Sequence, residues 1–238
     1  MPGNGSLCKD IDKMDKIAIE QIEKNYGKKT VLRDVTLTAE TGSCIGILGG
    51  NGSGKSTLLQ ILAGVTRPGG GRFLYGETDL LRAGKERTAL VGYVPQGTPL
   101  IEELSAKDNL RLWYSPAAME NALSGGVLAM LGVGDFLQTR VRQMSGGMKK
   151  RLAIGCVVAH NPRILLLDEP SAALDLPCKA RIADYLRSFR AAGGTVLLAT
   201  HDIGEVALCD RLYILKEGRA VPYTYDGDAE KLTGSLGE

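Results

Sequence analysis

Apolar runs broken by polar or glycine-rich segments follow one another along this chain, and their period changes from place to place. Ile17, Ile19 and Gln21, with the intervening Ala18, Glu20 and Ile22, predict a first strand. After a turn at Gly27-Lys28, Val35 and Leu37 alternate with Thr36 and Thr38 in a second strand over 31–38. The two make a small antiparallel β region. Cys44 to Leu48 is a continuous apolar run and predicts a buried strand, and Lys55 to Ala63 predicts a helix packed through Leu58, Leu59, Ile61 and Leu62. Pro68 and Gly69-Gly70-Gly71 break the pattern before a strand at 72–75 and another at 90–94, which ends in Pro95-Gln96.

Between 97 and 143 the spacing becomes helical, as in Asp108-Asn109-Leu110 and Val127-Leu128-Met130-Leu131, and predicts a helical insertion outside the sheet. Trp113 and Tyr114 are expected to pack within it. A helix over 149–159 follows, stopped by Asn161-Pro162. Arg163 to Leu167 is a β-type run with no polar alternation, as in a strand covered on both faces. A helix completed over 184–192, a strand over 195–200 and a hairpin over 211–223 close the pattern. Residues 1–16 read as a loose tail, with Met14 a possible second start, and residues 224–238 as a polar tail. The expected fold class is therefore α/β. It has a mostly parallel core sheet, an N-terminal antiparallel β sub-domain and an inserted helical sub-domain at 97–143.

Composition narrows this picture. A chain of 238 residues with 44% apolar residues can bury a substantial core, and a net charge of +2 argues against binding nucleic acid through bulk charge. No apolar stretch approaches the ~18 residues that span a bilayer, and no apolar leader is visible near Met1. The five cysteines are scattered without a C-x-x-C pair, which fits free thiols in a reducing, cytoplasmic setting.

The chemistry concentrates in Gly49-Gly50-Asn51-Gly52-Ser53-Gly54-Lys55-Ser56-Thr57, which reads G-x-x-x-x-G-K-S between a strand and a helix. Glycines without Cβ let backbone N–H groups converge on an anion at the helix N-terminus. Lys55 would reach β- and γ-phosphates, and the Ser56 hydroxyl would help hold Mg²⁺. The buried run 163–167 ends in Asp168-Glu169, two carboxylates that are costly there unless paired or metal-linked. His201 ends the strand over 195–200 at the same end of the sheet. Gln96 follows a buried strand where ligands often lie, although a loop residue explains it equally. Tyr26 could stack on a purine or cap its hairpin. Ser145 can serve as an N-cap. Lys149, Lys150 and Arg151 in the following turn oppose the helix dipole, and either a nearby anion or a solvated face would account for them.

In this order the motifs resemble those of an ATP-binding-cassette (ABC) ATPase from about Ile17 to about Tyr223. Tyr26 is similar to the adenine-stacking aromatic, and Gly49 to Thr57 to the Walker A loop. Gln96 resembles the Q-loop glutamine, Ser145-Gly146-Gly147 the signature, and Ile164 to Glu169 the Walker B strand with its catalytic glutamate. Ser171 to Asp175 resembles the D-loop, and His201 the switch histidine. The signature departs from the family's usual Leu-Ser-Gly-Gly-Gln, being Met144-Ser145-Gly146-Gly147-Met148. A second Leu-Ser-Gly-Gly at Leu123 to Gly126 is set aside: Ser124 stands 44 residues ahead of Asp168, and Ser145 stands 23 ahead, which resembles the family's spacing. Ser124 is read instead as a cap for a helix around 127–131.

The resemblance implies a P-loop NTPase that hydrolyses ATP with Mg²⁺. Asp168, Ser56 and Gln96 would serve the metal. Glu169 and His201 would act on water and γ-phosphate, and Ser145, Gly146, Gly147 and Asp175 would complete the nucleotide site across a homodimer or pseudo-dimer. It further implies a separate integral-membrane permease, with this chain peripheral on the cytoplasmic face and serving export of the drug, lipid or polysaccharide kind. A soluble cassette ATPase of a cytosolic assembly, such as iron–sulfur cluster assembly, is the second reading.

Overall fold

The computed structural model describes residues 16–172 and 174–236. The loose tail expected before Lys16, Cys8 and Met14 included, and Ala173 of the D-loop-like segment lie outside these residues. The strands are Ile17–Tyr26 (β1), Lys29–Ala39 (β2), Cys44–Leu48 (β3), Gly70–Tyr75 (β4), Thr78–Asp79 (β5), Val91–Val94 (β6), Ile164–Asp168 (β7), Thr195–Ala199 (β8), Arg211–Lys216 (β9) and Arg219–Tyr223 (β10). The helices are Lys55–Ala63 (α1), Gly84–Leu90 (α2), Ala106–Leu110 (α3), Pro116–Ser124 (α4), Val127–Met130 (α5), Gly146–Val157 (α6), Leu176–Ala191 (α7), Ile203–Val206 (α8) and Ala229–Leu236 (α9).

Two sheets form. The smaller is antiparallel, in the order β2-β1-β4-β5, and the larger runs β10-β9-β3-β8-β7-β6. In the larger sheet β9, β3, β8, β7 and β6 are parallel neighbours, and only β10 is antiparallel, paired to β9 as a hairpin. Parallel strands need both faces covered, and the alternation in β7 shows how this is done. Ile164 and Leu166 join a core with α1 and the antiparallel sheet, including Leu58, Leu62, Ile17, Ile19 and Phe73. Leu165 and Leu167 join a second core with α6, α7 and the helical insertion, including Leu152, Ile182, Leu110 and Leu128. An apolar run without polar alternation is what a strand between two such layers requires.

The expected α/β class, both sub-domains and nearly every predicted strand match these elements. Helix α7 is completed where expected and extends back to Leu176: Asp175 caps it, accepting from Cys178 N–H at 2.9 Å, and Pro177 stands in its first turn. Other expectations need correction. Ser124 caps no helix N-terminus, since it ends α4 and its hydroxyl donates to the Glu120 carbonyl at 2.8 Å. Trp113 does not pack within the insertion, being 61% exposed, whereas Tyr114 is buried and donates to the Gly155 carbonyl at 2.9 Å.

The segment after Tyr223 is not merely a polar tail. It carries α9, whose Leu232 is buried in a third cluster with Leu48, Val206, Leu212 and Ile214. Leu48 is the last residue before the glycine loop, so α9 buttresses that loop from behind. A Cβ placed on Gly50 would stand 3.4 Å from the Leu236 carbonyl oxygen. Leu232→Ala should lower the unfolding free energy by about 2–5 kcal/mol, measured by denaturant melts. A loss under ~0.5 kcal/mol, the scale of a surface change, would show that α9 is not part of the cooperative core.

Candidate functional site

The site is built where strands end and helices begin on one edge of the parallel sheet. Strand β3 is wholly buried, and the chain then turns through Gly49 to Gly54 into α1. Glycine is required by contact at Gly49: a Cβ there would lie 2.6 Å from Ser53 Oγ and 2.7 Å from the Leu215 carbonyl. Gly54 has φ 107°, and a Cβ on it would press into Leu32. Neither a side-chain cap nor a first-turn carboxylate satisfies the N-terminus of α1, which leaves its dipole and N–H groups turned toward an anion. Lys55 is buried and folds back over the loop, donating through Nζ to the Gly49 and Gly50 carbonyls at 2.6 and 3.2 Å.

Strand β7 delivers the carboxylates. Asp168 is only 2% exposed, and its Oδ1 has no hydrogen-bond partner. Burial raises its pKa above the ordinary aspartate value and Glu169 adds to this, whereas the Ser56 hydroxyl and the Lys55 and Lys150 cations oppose it. Glu169 has φ 47°, an unusual backbone state for a residue with a Cβ. Its N–H donates to the Ala199 carbonyl of β8 at 2.9 Å. Its carboxylate is held from two sides. Gln96 Nε2 donates to Oε2 at 2.9 Å, and His201 Nδ1 lies 3.3 Å from Oε1. Gln96, Glu169 and His201 thus come together from β6, β7 and β8, beside the glycine loop.

A cleft of about 320 Å³ is lined by Asn51 through Thr57 together with Gln96 and Glu169. Lys29 and Val31 of β2 complete its wall, and the sequence reading missed both because neither belongs to a motif. Tyr26 is not part of this lining. Tyr26 is 49% exposed at the β1–β2 hairpin, with Lys24 Nζ 4.8 Å from its ring centroid. Ser145, Gly146 and Gly147 do not face the cleft either. Ser145 caps α6, accepting from Met148 N–H at 3.2 Å. A Cβ on Gly147 would stand 2.9 Å from Cys178 Sγ, and one on Gly146 would stand 3.8 Å from Leu174. Asp175 is occupied in capping α7. A larger hollow of about 500 Å³ lies at the opposite ends of β7 and β8, beside Arg163 and Gly194, and has no part in this chemistry.

Each cation after the signature has partners within the fold. Lys149 pairs with Glu102 at 3.3 Å. Arg151 donates to the Leu131 carbonyl at 2.8 Å and lies over the Phe136 ring. Lys150 is 5% exposed and donates to the Pro95 and Gln96 carbonyls, both at 3.0 Å. Burial lowers its pKa, against which Asp168, Glu205 and Glu169 stabilise the ammonium.

A glycine loop between strand and helix, with Asp-Glu ending a second parallel strand of the same sheet, defines a P-loop nucleotide-binding domain. The chain belongs to the ABC transporter family, whose model matches residues 32–172. Among its relatives is "Nod factor export ATP-binding protein I" of Rhizobium etli, 32% identical over 228 residues, covering 93% of this chain and 72% of that protein. The protein of the same name in Burkholderia lata is 36% identical over 211 residues, 86% and 69% of the two chains. A solved ATP-binding subunit of an ABC transporter superposes with a TM-score of 0.81 at 26% identity, over 93% and 99% of the chains. An ATP-binding cassette in a dimeric, post-hydrolysis state bound to ADP and Pi matches at 0.76 and 29% identity, over 89% and 100%. The chain is accordingly a nucleotide-binding ATPase. No helix among the described residues is long and apolar enough to cross a membrane.

Behind the site, Glu205 of α8 is 6% exposed, and burial raises its pKa above the ordinary 4.5. Such a group contributes its full stability below the unfolded-state value and loses it as pH rises through the folded-state value. Glu205→Gln should therefore melt at a higher temperature than the parent at pH 7. The gain should fade as pH approaches 4. Thermal melts at both pH values check this, and a variant less stable than the parent at pH 7 would contradict it.

Proposed function

We propose that this chain is the ATP-hydrolysing subunit of an exporter, acting as a nucleotide-bridged pair on a separate integral-membrane permease at the cytoplasmic face. The observation that carries the hydrolytic part is Glu169, half-buried beside the P-loop and held by Gln96 and His201. ATP phosphates would bind the N–H groups of Gly49 to Thr57 and the Lys55 ammonium. Asp168 Oδ1, buried and without a partner, and the Ser56 hydroxyl form an oxygen donor set that suits Mg²⁺. When bound, the ion would neutralise charge on the β- and γ-phosphates. Glu169 would orient and deprotonate the attacking water once Gln96 releases one of its oxygens, and His201 would contact the γ-phosphate. Tyr26, exposed at its hairpin, would stack on adenine.

The pairing follows from where the signature lies. Gly146 and Gly147 lie beside Leu174 and Cys178, Ser145 is exposed, and none of the three lines the chain's own cleft. A second copy, or a homologous chain, would bring its signature over this cleft and complete the electrostatic cage. The D-loop-like segment ending in Asp175 would lie at that junction. A solved relative is dimeric in a post-hydrolysis state, which supports the arrangement. The names of the relatives favour export over service in a soluble cytosolic assembly.

The permease contact is assigned to the helical sub-domain at 97–143, where Ile101, Leu112 and Trp113 are exposed. Photo-cross-linking from position 113 in detergent-solubilised membranes should capture an integral-membrane protein. Cross-links arising only from the β region around Tyr26 would move the contact there.

Glu169→Gln keeps the shape and removes the charge. General-base catalysis contributes about 10²–10⁴-fold, so turnover should fall by that amount. ATP affinity should persist, and an ATP-bound dimer should accumulate on size-exclusion chromatography. Lys55→Ala should lose binding and turnover together. Hydrolysis by Glu169→Gln at near the parent rate would remove Glu169 from the role of base.

A further inference from the structure

Lys150 is the most deeply buried cation after the signature, and beyond its charge beside Asp168 and Glu169 the chemistry above gives its two carbonyl bonds no task. Its stem leaves α6 one turn after Ser145, and the ammonium ends under the loop that follows β6. Two of its three donors are used on consecutive carbonyls, Pro95 and Gln96, at 3.0 Å each. The Gln96 side chain leaves the same residue and donates to Glu169 at 2.9 Å. One short chain of contacts therefore runs from the signature helix through Lys150 to the Gln96 backbone, and from the Gln96 amide to Glu169. The position is an expensive one for a merely structural cation. It is 5% exposed, and an apolar side chain of equal length would fill the same space. What an apolar side chain cannot do is hold two backbone carbonyls in a fixed direction.

We propose that Lys150 is a positioning residue for hydrolysis: it locks the loop at Pro95-Gln96 to the helix that carries Ser145 to Gly147, so that Gln96 engages or releases Glu169 in step with the signature. This rests on the ATPase reading and on the role given there to Glu169. A movement of α6 as a second chain closes on its signature would pull on the Gln96 carbonyl, and the Gln96 amide would shift on Glu169. With Lys150 removed, the loop and the helix would move independently. Nucleotide would still bind, but the water-activating carboxylate would be released at the wrong moment.

The test compares the purified parent chain with Lys150→Met, Gln96→Ala and their double variant, measuring steady-state Mg-ATP hydrolysis and equilibrium ATP binding. Sub-ångström misplacement of catalytic groups costs up to about 100-fold, so kcat of Lys150→Met should fall about 10- to 100-fold with ATP Kd within about twofold of the parent. In the Gln96→Ala background the same substitution should cost less than about twofold, since the two residues act on one path. Should methionine prevent folding, Lys150→Gln carries the same comparison, because its shorter amide cannot reach both carbonyls. Turnover that depends on Glu169 yet survives Lys150→Met within twofold overturns this proposal alone. So do losses that multiply in the double variant, as for an independent structural defect. Turnover indifferent to Glu169→Gln overturns the reading of Glu169 and this proposal with it.

Discussion

A carboxylate is buried at the end of a strand that has no polar face, and much of the molecule is arranged around that fact. Asp168 terminates β7, whose other residues are all apolar and enclosed between two cores. Ionised carboxylates resist such surroundings strongly unless paired. Here the opposing groups come from two directions: Lys55 and Ser56 from the start of α1, and Lys150 from α6. The two helices are placed by different parts of the fold. The parallel sheet brings α1 beside β7, and the core under the helical insertion holds α6 against the same end. The residual imbalance is an Oδ1 without a partner, which would suit a cation.

The backbone at Glu169 shows how the same strand serves two purposes. Asp168 continues the ladder, paired opposite Ala199 of β8. One residue later the chain turns through φ 47°, a conformation that costs of order 1–3 kcal/mol for a residue with a Cβ. The bond from Glu169 N–H to the Ala199 carbonyl fixes that turn against the sheet. The carboxylate then meets Gln96 and His201, which leave the ends of β6 and β8 on either side. Strain at this point is therefore tied to the geometry that gathers three strand ends around one carboxylate.

The elements legible in the sequence are those whose signal is local. Continuous apolar runs marked β3, β7 and β8, and the glycine loop carried its own chemistry at fixed spacing. What escaped depends on contacts across the fold. Helix α9 has few apolar residues, and only Leu232 is buried, so its polar composition read as a tail. Helix α2 buries none of its residues and left no period to find. Trp113 looked like core by residue type, yet the neighbouring Tyr114 takes the buried place because its hydroxyl finds the Gly155 carbonyl. The start of α7 carries a local signal too, Asp175 as a cap followed by the first-turn Pro177.

The cations after Ser145 give the same lesson in electrostatic form. Opposition to the helix dipole marks Lys149, Lys150 and Arg151 as needing compensation; sequence offers two sources, anions and water, and Glu102 is such an anion for Lys149. The fold supplies a third: backbone carbonyls whose own partners are missing. Pro95, Gln96, Leu131 and Gly132 all present carbonyls outside regular ladders, and Lys150 and Arg151 satisfy them. A buried carbonyl without a partner is costly, as is a buried cation, so each removes the other's penalty. The result is a signature helix fastened at one side to the loop after β6 and at the other to the helical insertion. The helix that would meet a second subunit is thereby made mechanically continuous with the residues that hold Glu169.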